Sequence, residues 1–194
     1  MLVLASASPR RQELLRNAGI AFTVQAADIV ENLIAGESPQ ACAERLALQK
    51  ARAVFQRRPT EVVLGADTIV VVDGEILGKP RDEEDAKRML RLLSGRSHEV
   101  ITGVCLVGAA TGSPDSTTSF EDVRSECTVV FMSTLSDEDI RQYVATREPA
   151  DKAGAYAIQG MASRWIQRIV GDYFNVVGLP VSLVYRMLRE HGAI

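Results

Sequence analysis

Apolar positions along the 194-residue chain alternate between short continuous runs, which suit buried strands, and stripes recurring every three or four residues, which suit one face of a helix. Residues 2–5 predict a short buried strand. Ser8-Pro9 then opens a helix, with Ser8 as N-cap and Pro9 at the first helical position, running through Leu14 and Leu15 to a stop at Gly19. Residues 20–26 are strand-like. Ser38-Pro39 repeats the start signal for a longer helix that ends before Pro59, and the stretch between is irregular and holds Asp28 and Glu31. Residues 62–72 form an apolar strand run, and Asp73-Gly74 is a two-residue hairpin signal returning through residues 75–78 until Pro80 ends the strand.

The next helix, residues 82–93, carries acidic residues in its first turn and an apolar stripe of Ala86, Met89, Leu90 and Leu93 before Gly95 stops it. Two β-rich runs follow, residues 99–107 and 123–132. The Gly/Ser/Thr/Pro-rich residues 109–119 between them predict an exposed loop, the segment of this chain most prone to disorder. Ser136 caps a short helix to Val144, residues 151–160 make a glycine-containing loop, residues 165–170 are strand-like, and Pro180 starts a last helix to Glu190. With no internal repeat and no linker, the mixture predicts a single α/β domain over residues 1–194 with a mixed sheet and flanking helices.

Composition narrows the function. Hydrophobic residues make up 46% and charged residues 24%, so a sizeable core can be buried, and neither disorder nor a fibrous repeat is expected. Lys+Arg 22 against Asp+Glu 25 leaves a formal charge of −3, the wrong sign for coating nucleic acid or an anionic membrane. No apolar run approaches the roughly 18 residues of a membrane span, and the apolar start is too short and lacks a basic leader for a signal peptide, so a cytoplasmic protein is expected. Cys42, Cys105 and Cys127 are far apart and are expected to be reduced packing residues. His98 and His191 are the only histidines. Carboxylates and cations must therefore carry any chemistry.

Some of these charges stand against their surroundings. Arg10 and Arg11 fall in the first turn of the first helix, where the macrodipole disfavours cations by a few tenths to about 1 kcal/mol each. Either a phosphate-like anion sits there, bound by backbone N–H groups, the Ser8 hydroxyl and the guanidinium forks, or the two arginines are solvated. Lys50 falls on the core-facing stripe of Ala43, Leu46, Ala47, Ala51 and Val54, so its ammonium must snorkel to water or meet an anion. Asp67 interrupts the apolar run of residues 62–72, where an ionised carboxylate is costly unless paired, hydrogen-bonded or metal-bound. Gly65, two residues back on the same face, is expected to leave open space above the strand. A carboxylate facing such a gap is a candidate general base or metal ligand; a structural Asp bonded to nearby N–H groups is the other reading.

Ideal pairing across the Asp73-Gly74 turn puts Lys79 opposite Thr68, and a bulge at Gly78 would turn it towards Asp67. Residues 151–160, Asp-Lys-Ala-Gly-Ala-Tyr-Ala-Ile-Gln-Gly, could hold a base and a phosphate or be an ordinary loop before a strand. Residues 171–180 read as a packed turn leading into the last helix.

Six segments in register, namely residues 6–15 (Ser-Ala-Ser-Pro-Arg-Arg-Gln-Glu-Leu-Leu), 65–68 (Gly-Ala-Asp-Thr), 78–80 (Gly-Lys-Pro), Ser94-Gly95 with His98 and residues 102–104, residues 151–160 and residues 171–180, resemble the Maf family of nucleoside triphosphate pyrophosphatases along essentially the whole chain. The resemblance implies an elongated α/β fold of the Maf and inosine triphosphatase type, two lobes around a central cleft, usually homodimeric. It implies hydrolysis of a nucleoside triphosphate to the monophosphate and pyrophosphate with a divalent cation, Mg²⁺ or Mn²⁺. The form of residues 151–160 resembles the subgroup acting on dTTP and UTP. By position, Asp67 matches the family's proton acceptor, Arg10, Thr68 and Gln159 match positions tied to substrate choice, and Arg11, Lys50 and Lys79 match cationic residues of the cleft. Glu31 matches a carboxylate assigned, with Asp67, to the metal. Residues 161–165 (Met-Ala-Ser-Arg-Trp) depart from the small, Gly-rich continuation expected after Gly160. The family's link with septum formation implies an alternative role as a nucleotide-binding regulator of cell division.

Overall fold

A computed structural model describes residues 1–109 and 119–194, so most of the loop expected at residues 109–119 lies outside the described residues. In chain order the elements are β1 (Leu2–Leu4), α1 (Pro9–Asn17), β2 (Phe22–Val24), α2 (Pro39–Phe55), β3 (Val62–Val72), β4 (Glu75–Leu77), α3 (Glu83–Leu93), β5 (Ser97–Ala109), β6 (Ser119–Met132), α4 (Asp137–Ala145), β7 (Ile166–Val170), α5 (Tyr173–Val177) and α6 (Val181–Glu190). Three 3₁₀ turns, Glu148–Asp151, Ala153–Ala155 and Met161–Trp165, occupy the connection from α4 to β7. The strands form one seven-stranded sheet in the order β2-β1-β3-β5-β6-β7, with β4 on β3. It is a mixed sheet, because β1 runs parallel to β2 and β3 while β4 and β7 pair antiparallel with β3 and β6. No helix among the described residues is long and apolar enough to cross a membrane.

The chain divides into two compact units. The first comprises residues 1–67, the described part of 102–126, and 178–194; the second comprises residues 68–101 and 127–177. Strands β3, β5 and β6 contribute residues to both.

In the first unit, α2 starts at Pro39 with the Ser38 hydroxyl accepting from the Ala41 N–H, and its inner stripe meets the odd-numbered face of the sheet. Ala47, Ala51 and Val54 pack there against Val3, Ala5, Val63, Cys105 and Val107. Two glycines set how close the helix comes. A Cβ on Gly65 would lie 2.2 Å from the Ala47 carbonyl oxygen, and one on Gly103 would lie 2.3 Å from the Ala43 carbonyl oxygen. The open space expected above Gly65 is therefore absent: helix backbone fills it, because glycine admits an approach that any side chain would block.

In the second unit, the predicted stripe of α3, Ala86, Met89, Leu90 and Leu93, is buried with Val70, Leu77, Val100, Tyr143 and Trp165. Both helix starts are built from local hydrogen bonds. Asp82 accepts from the Asp85 N–H, and Ser136 and Asp139 form a reciprocal capping box at α4. Asp73 (φ 49°) and Gly74 (φ 81°) make the tight turn between β3 and β4, with Val72 opposite Glu75 and Val70 opposite Leu77. The ladder ends at Leu77 rather than continuing to Lys79, and the Gly78 carbonyl instead accepts from the Gly154 N–H at 3.1 Å.

Two local expectations change. The turn at residues 171–180 contains a helix, α5, whose buried Asn175 donates to the Val100 carbonyl at 2.9 Å and the Thr128 hydroxyl at 3.0 Å. Cys42 and Cys105 are buried, and burial pushes the Cys105 thiol up to about 12. Cys127 is exposed rather than packed, since it lies on the outward side of β6.

Candidate active site

The first unit holds five of the charged residues singled out in the sequence, Arg10, Arg11, Glu31, Lys50 and Asp67. The turn from β1 to α1 is anchored by the Ala5 N–H, which donates to the Leu64 carbonyl of β3 at 2.8 Å. Ser8 occupies the N-cap position of α1, but its side chain makes no capping hydrogen bond; its N–H donates to the Ser6 hydroxyl at 3.2 Å. Arg11, in the first turn of the helix, points back and is buried. Its Nε donates to the Gly178 carbonyl at 2.8 Å, and its Nη1 donates to the Ala66 carbonyl at 2.9 Å and the Ser6 hydroxyl at 3.2 Å. A cation at a helix N-terminus is thus compensated by charge-assisted bonds to two backbone carbonyls and one hydroxyl. Burial lowers the Arg11 pKa and the charge of Asp67 acts the other way. Arg10, beside it, is half-buried.

Lys50 and Asp67 lie on the facing surfaces of α2 and β3, with 9% and 6% of their surface exposed. The Lys50 ammonium pairs with Asp67 Oδ1 and, at 2.6 Å, with Glu31 Oε1. Of the two readings of Lys50, it meets an anion rather than running out to water. Asp67 correspondingly has a cation as partner. Glu31 arrives from the irregular stretch before α2, and Arg45 of α2 pins that stretch by donating to the Asn32 carbonyl at 3.0 Å and to both Glu37 oxygens at 2.7 Å.

Thr68, Lys79 and Gln159 belong to the second unit. Thr68 follows Asp67 on β3 and is half-buried, Lys79 is exposed after β4, and Gln159 is exposed between two 3₁₀ turns. The loop that carries Gln159 is tied to the core behind it. Gly154 (φ 68°) sits against Val70, where a Cβ would come within 3.0 Å of that side chain. The buried Tyr156 hydroxyl lies 2.8 Å from His98 Nε2, and burial holds His98 down to about 4, so the imidazole is neutral at pH 7.

Among the described residues no group of three or more His, Cys, Asp or Glu side chains converges as a metal cage. Glu31 and Asp67 do converge, with the Lys50 ammonium between them. Two hard carboxylate oxygens directed at one positive charge fit Mg²⁺ or Mn²⁺, which commonly take one or two carboxylates together with phosphate oxygens and water.

A family model described as "Maf-like protein" matches residues 1–191. The chain belongs to the Maf family. Curated members of that family are similar to it over nearly its full length. The dTTP/UTP pyrophosphatase of Koribacter versatilis is 55% identical over 193 residues, covering 100% of this chain and 95% of that protein. Its namesake from Symbiobacterium thermophilum is 54% identical over 191 residues (98% and 94%), and that from Syntrophomonas wolfei is 50% identical over 189 residues (97% and 96%). Among solved structures, the Staphylococcus aureus Ham1 protein matches with a TM-score of 0.43 and 15% identity over 68% of this chain and 71% of that one, too slight a likeness to bear on the fold.

In this Maf chain, sequence reasoning missed Ser6, Arg45, Gly103 and the Gly178 carbonyl, all of which hold charged site residues in place. Arg45 carried no local signal, since Glu37 and Asn32 become its neighbours only when the stretch before α2 folds back. Gly103 was readable as an interruption of a β-rich run, a pattern that marks close backbone approach.

Proposed function

We propose that the chain hydrolyses the bond between the α and β phosphates of a pyrimidine nucleoside triphosphate, dTTP and UTP foremost, releasing the monophosphate and pyrophosphate. The observation that carries this reading is the buried Lys50–Asp67 pair, which the exposed Glu31 joins from the solvent side. A buried carboxylate–ammonium pair with a second carboxylate at its open side is an arrangement for handling a polyanion and a proton, and the names of relatives at 50–55% identity support the same activity.

In this reading Asp67 acts on the attacking water. It accepts a proton as the water oxygen bonds to phosphorus, the bridging P–O bond breaks, and pyrophosphate leaves. Lys50 holds the Asp67 carboxylate in one orientation and supplies positive charge to the phosphates. Arg10, Arg11 and Lys79 add charge along the triphosphate, and Ser8, whose hydroxyl makes no cap, donates to it. Glu31 and Asp67 would hold Mg²⁺ or Mn²⁺, which supplies charge neutralisation on the phosphates when bound. Gln159 reads the base, its amide offering one donor and one acceptor to O4 and N3–H of uracil or thymine, with Thr68 and Arg10 shaping that environment.

Purified protein incubated with a nucleotide panel and Mg²⁺ or Mn²⁺ tests the proposal. Monophosphate and pyrophosphate should appear, fastest from dTTP and UTP, more slowly from CTP and least from purine nucleotides. Diphosphate with orthophosphate would overturn the bond assignment, and binding without turnover would make the protein a nucleotide sensor.

A further inference from the structure

We propose that Tyr143 and Glu148 are positioning residues for base selection, bracing from both sides the short turn that carries Gln159. The proposal rests on the assignment of Gln159 to the base. Its geometry lies wholly within the second unit. The Tyr143 hydroxyl donates to Glu148 Oε1 at 2.8 Å and accepts from the Ala157 N–H at 3.1 Å. Glu148 in turn accepts from the Met161 N–H, 3.1 Å from Oε1 and 3.3 Å from Oε2. One phenol and one carboxylate therefore hold the backbone two residues before and two residues after Gln159.

The brace leaves little slack. Gly160 lies so close to the carboxylate that a Cβ there would meet Glu148 Oε1 at 2.0 Å, so the turn rests directly on Glu148. Tyr143 is fully buried in α4, and its ring meets Trp165 edge-on with centroids 5.3 Å apart and an interplanar angle of 73°. Trp165 belongs to the segment of residues 161–165 that departs from the expected Gly-rich continuation, and it ends a 3₁₀ turn whose first residue, Met161, gives its N–H to Glu148. The departure is thus built into the same support. A phenol has one proton to give, and here it goes to the carboxylate, so its lone pair faces the Ala157 N–H in a single arrangement. An exposed amide such as Gln159 can flip and meet either pyrimidine edge; a rigid backbone beneath it restricts where its two polar atoms can lie.

The test compares Tyr143→Phe and Glu148→Gln, which keep ring and shape, with Gln159→Ala in otherwise intact protein. Steady-state kinetics with dTTP, UTP and CTP would be combined with amide hydrogen exchange at Ala157 and Met161. Tyr143→Phe should raise exchange at Ala157, and Glu148→Gln at Met161, while the Gly154 amide stays protected. Each should lower the ratio of kcat/KM for dTTP over CTP by roughly three- to tenfold, the scale of one lost hydrogen bond. Adding either change to Gln159→Ala should shift that ratio no further. Unchanged exchange at Ala157 and Met161 overturns the brace itself. Increased exchange with an unchanged ratio overturns its role in selection, provided Gln159→Ala lowers the ratio. If Gln159→Ala leaves the ratio intact, the assignment of Gln159 is wrong and the proposal falls with it. A uniform loss across all three nucleotides would reduce the pair to structural support.

Discussion

Lys50 of α2 and Asp67 of β3 form a buried ion pair because the helix rests on two glycines of the sheet, Gly65 two residues before Asp67 and Gly103 on the neighbouring strand. With side chains at those positions, α2 would stand off from β3 and the ammonium would lose its carboxylate. Packing of an apolar helix and placement of charged chemistry are here one arrangement.

Replacing the pair's members should separate chemistry from stability. Asp67→Asn keeps an oxygen for the Lys50 ammonium, so it should fold normally and lose roughly two or more orders of magnitude in kcat. Lys50→Met leaves two carboxylates without their shared cation; it should abolish most activity and cost about 3 kcal/mol in chemical denaturation at neutral pH. A near-native rate for Asp67→Asn would pass the base role to Glu31, and a stabilised, fully active Lys50→Met would remove Lys50 from the site.

Arg10 and Arg11 should behave differently although they are adjacent. Arg11→Ala strips donors from the Gly178 and Ala66 carbonyls and should cost roughly 3 kcal/mol as well as activity. Arg10→Ala should change stability by less than about 1 kcal/mol while raising KM for the triphosphate. Equal stability losses in thermal melts would contradict this division.

The glycine contacts predict a steep steric cost. Gly65→Ala and Gly103→Ala should each destabilise by roughly 3 kcal/mol or more, since the added methyl meets helix backbone that cannot rotate away. Gly78→Ala, with nothing within 4 Å of the added carbon, serves as the control and should be nearly neutral. Both destabilised variants should lose activity in step with the distance α2 is displaced, which crystal structures of those that fold would measure.

Acid stability should carry the signature of His98. Its pKa is about 4 in the native state against 6.5 unfolded, so between those values the unfolded chain binds the extra proton. Stability is then fully present above about pH 6.5 and falls as pH drops towards 4, by about 3 kcal/mol in total. His98→Gln, which can still meet the Tyr156 hydroxyl, should flatten that part of the stability curve. A wild-type slope retained in His98→Gln would assign the titration to another group.

Much of the fold was legible in local pattern. The apolar run of residues 62–72, the Asp73-Gly74 turn, the stripe of α3 and the Ser38-Pro39 start all became the elements they predict, because each signal rests on interactions within a few residues of chain. The oddity of Lys50 and Asp67 was legible for the same reason, as charges in apolar surroundings. The short α5 was not, since its buried Asn175 is satisfied by Val100 and Thr128, far away in sequence.

By itself, then, the amino-acid sequence determined most of the strands and helices, which faces are apolar and which charges are out of place, all properties of neighbouring residues. Only the tertiary structure decided what those charges meet. Asp67 could have faced a void, backbone N–H groups or a cation; the approach of α2 across Gly65 and Gly103 selected the cation. Arg11 was readable as an anion site or a solvated side chain, yet its guanidinium is engaged with carbonyls 55 and 167 residues away along the chain. Such partners carry no sequence signature, because pairing energy depends on distance in space, and that distance is set only when helix and sheet pack.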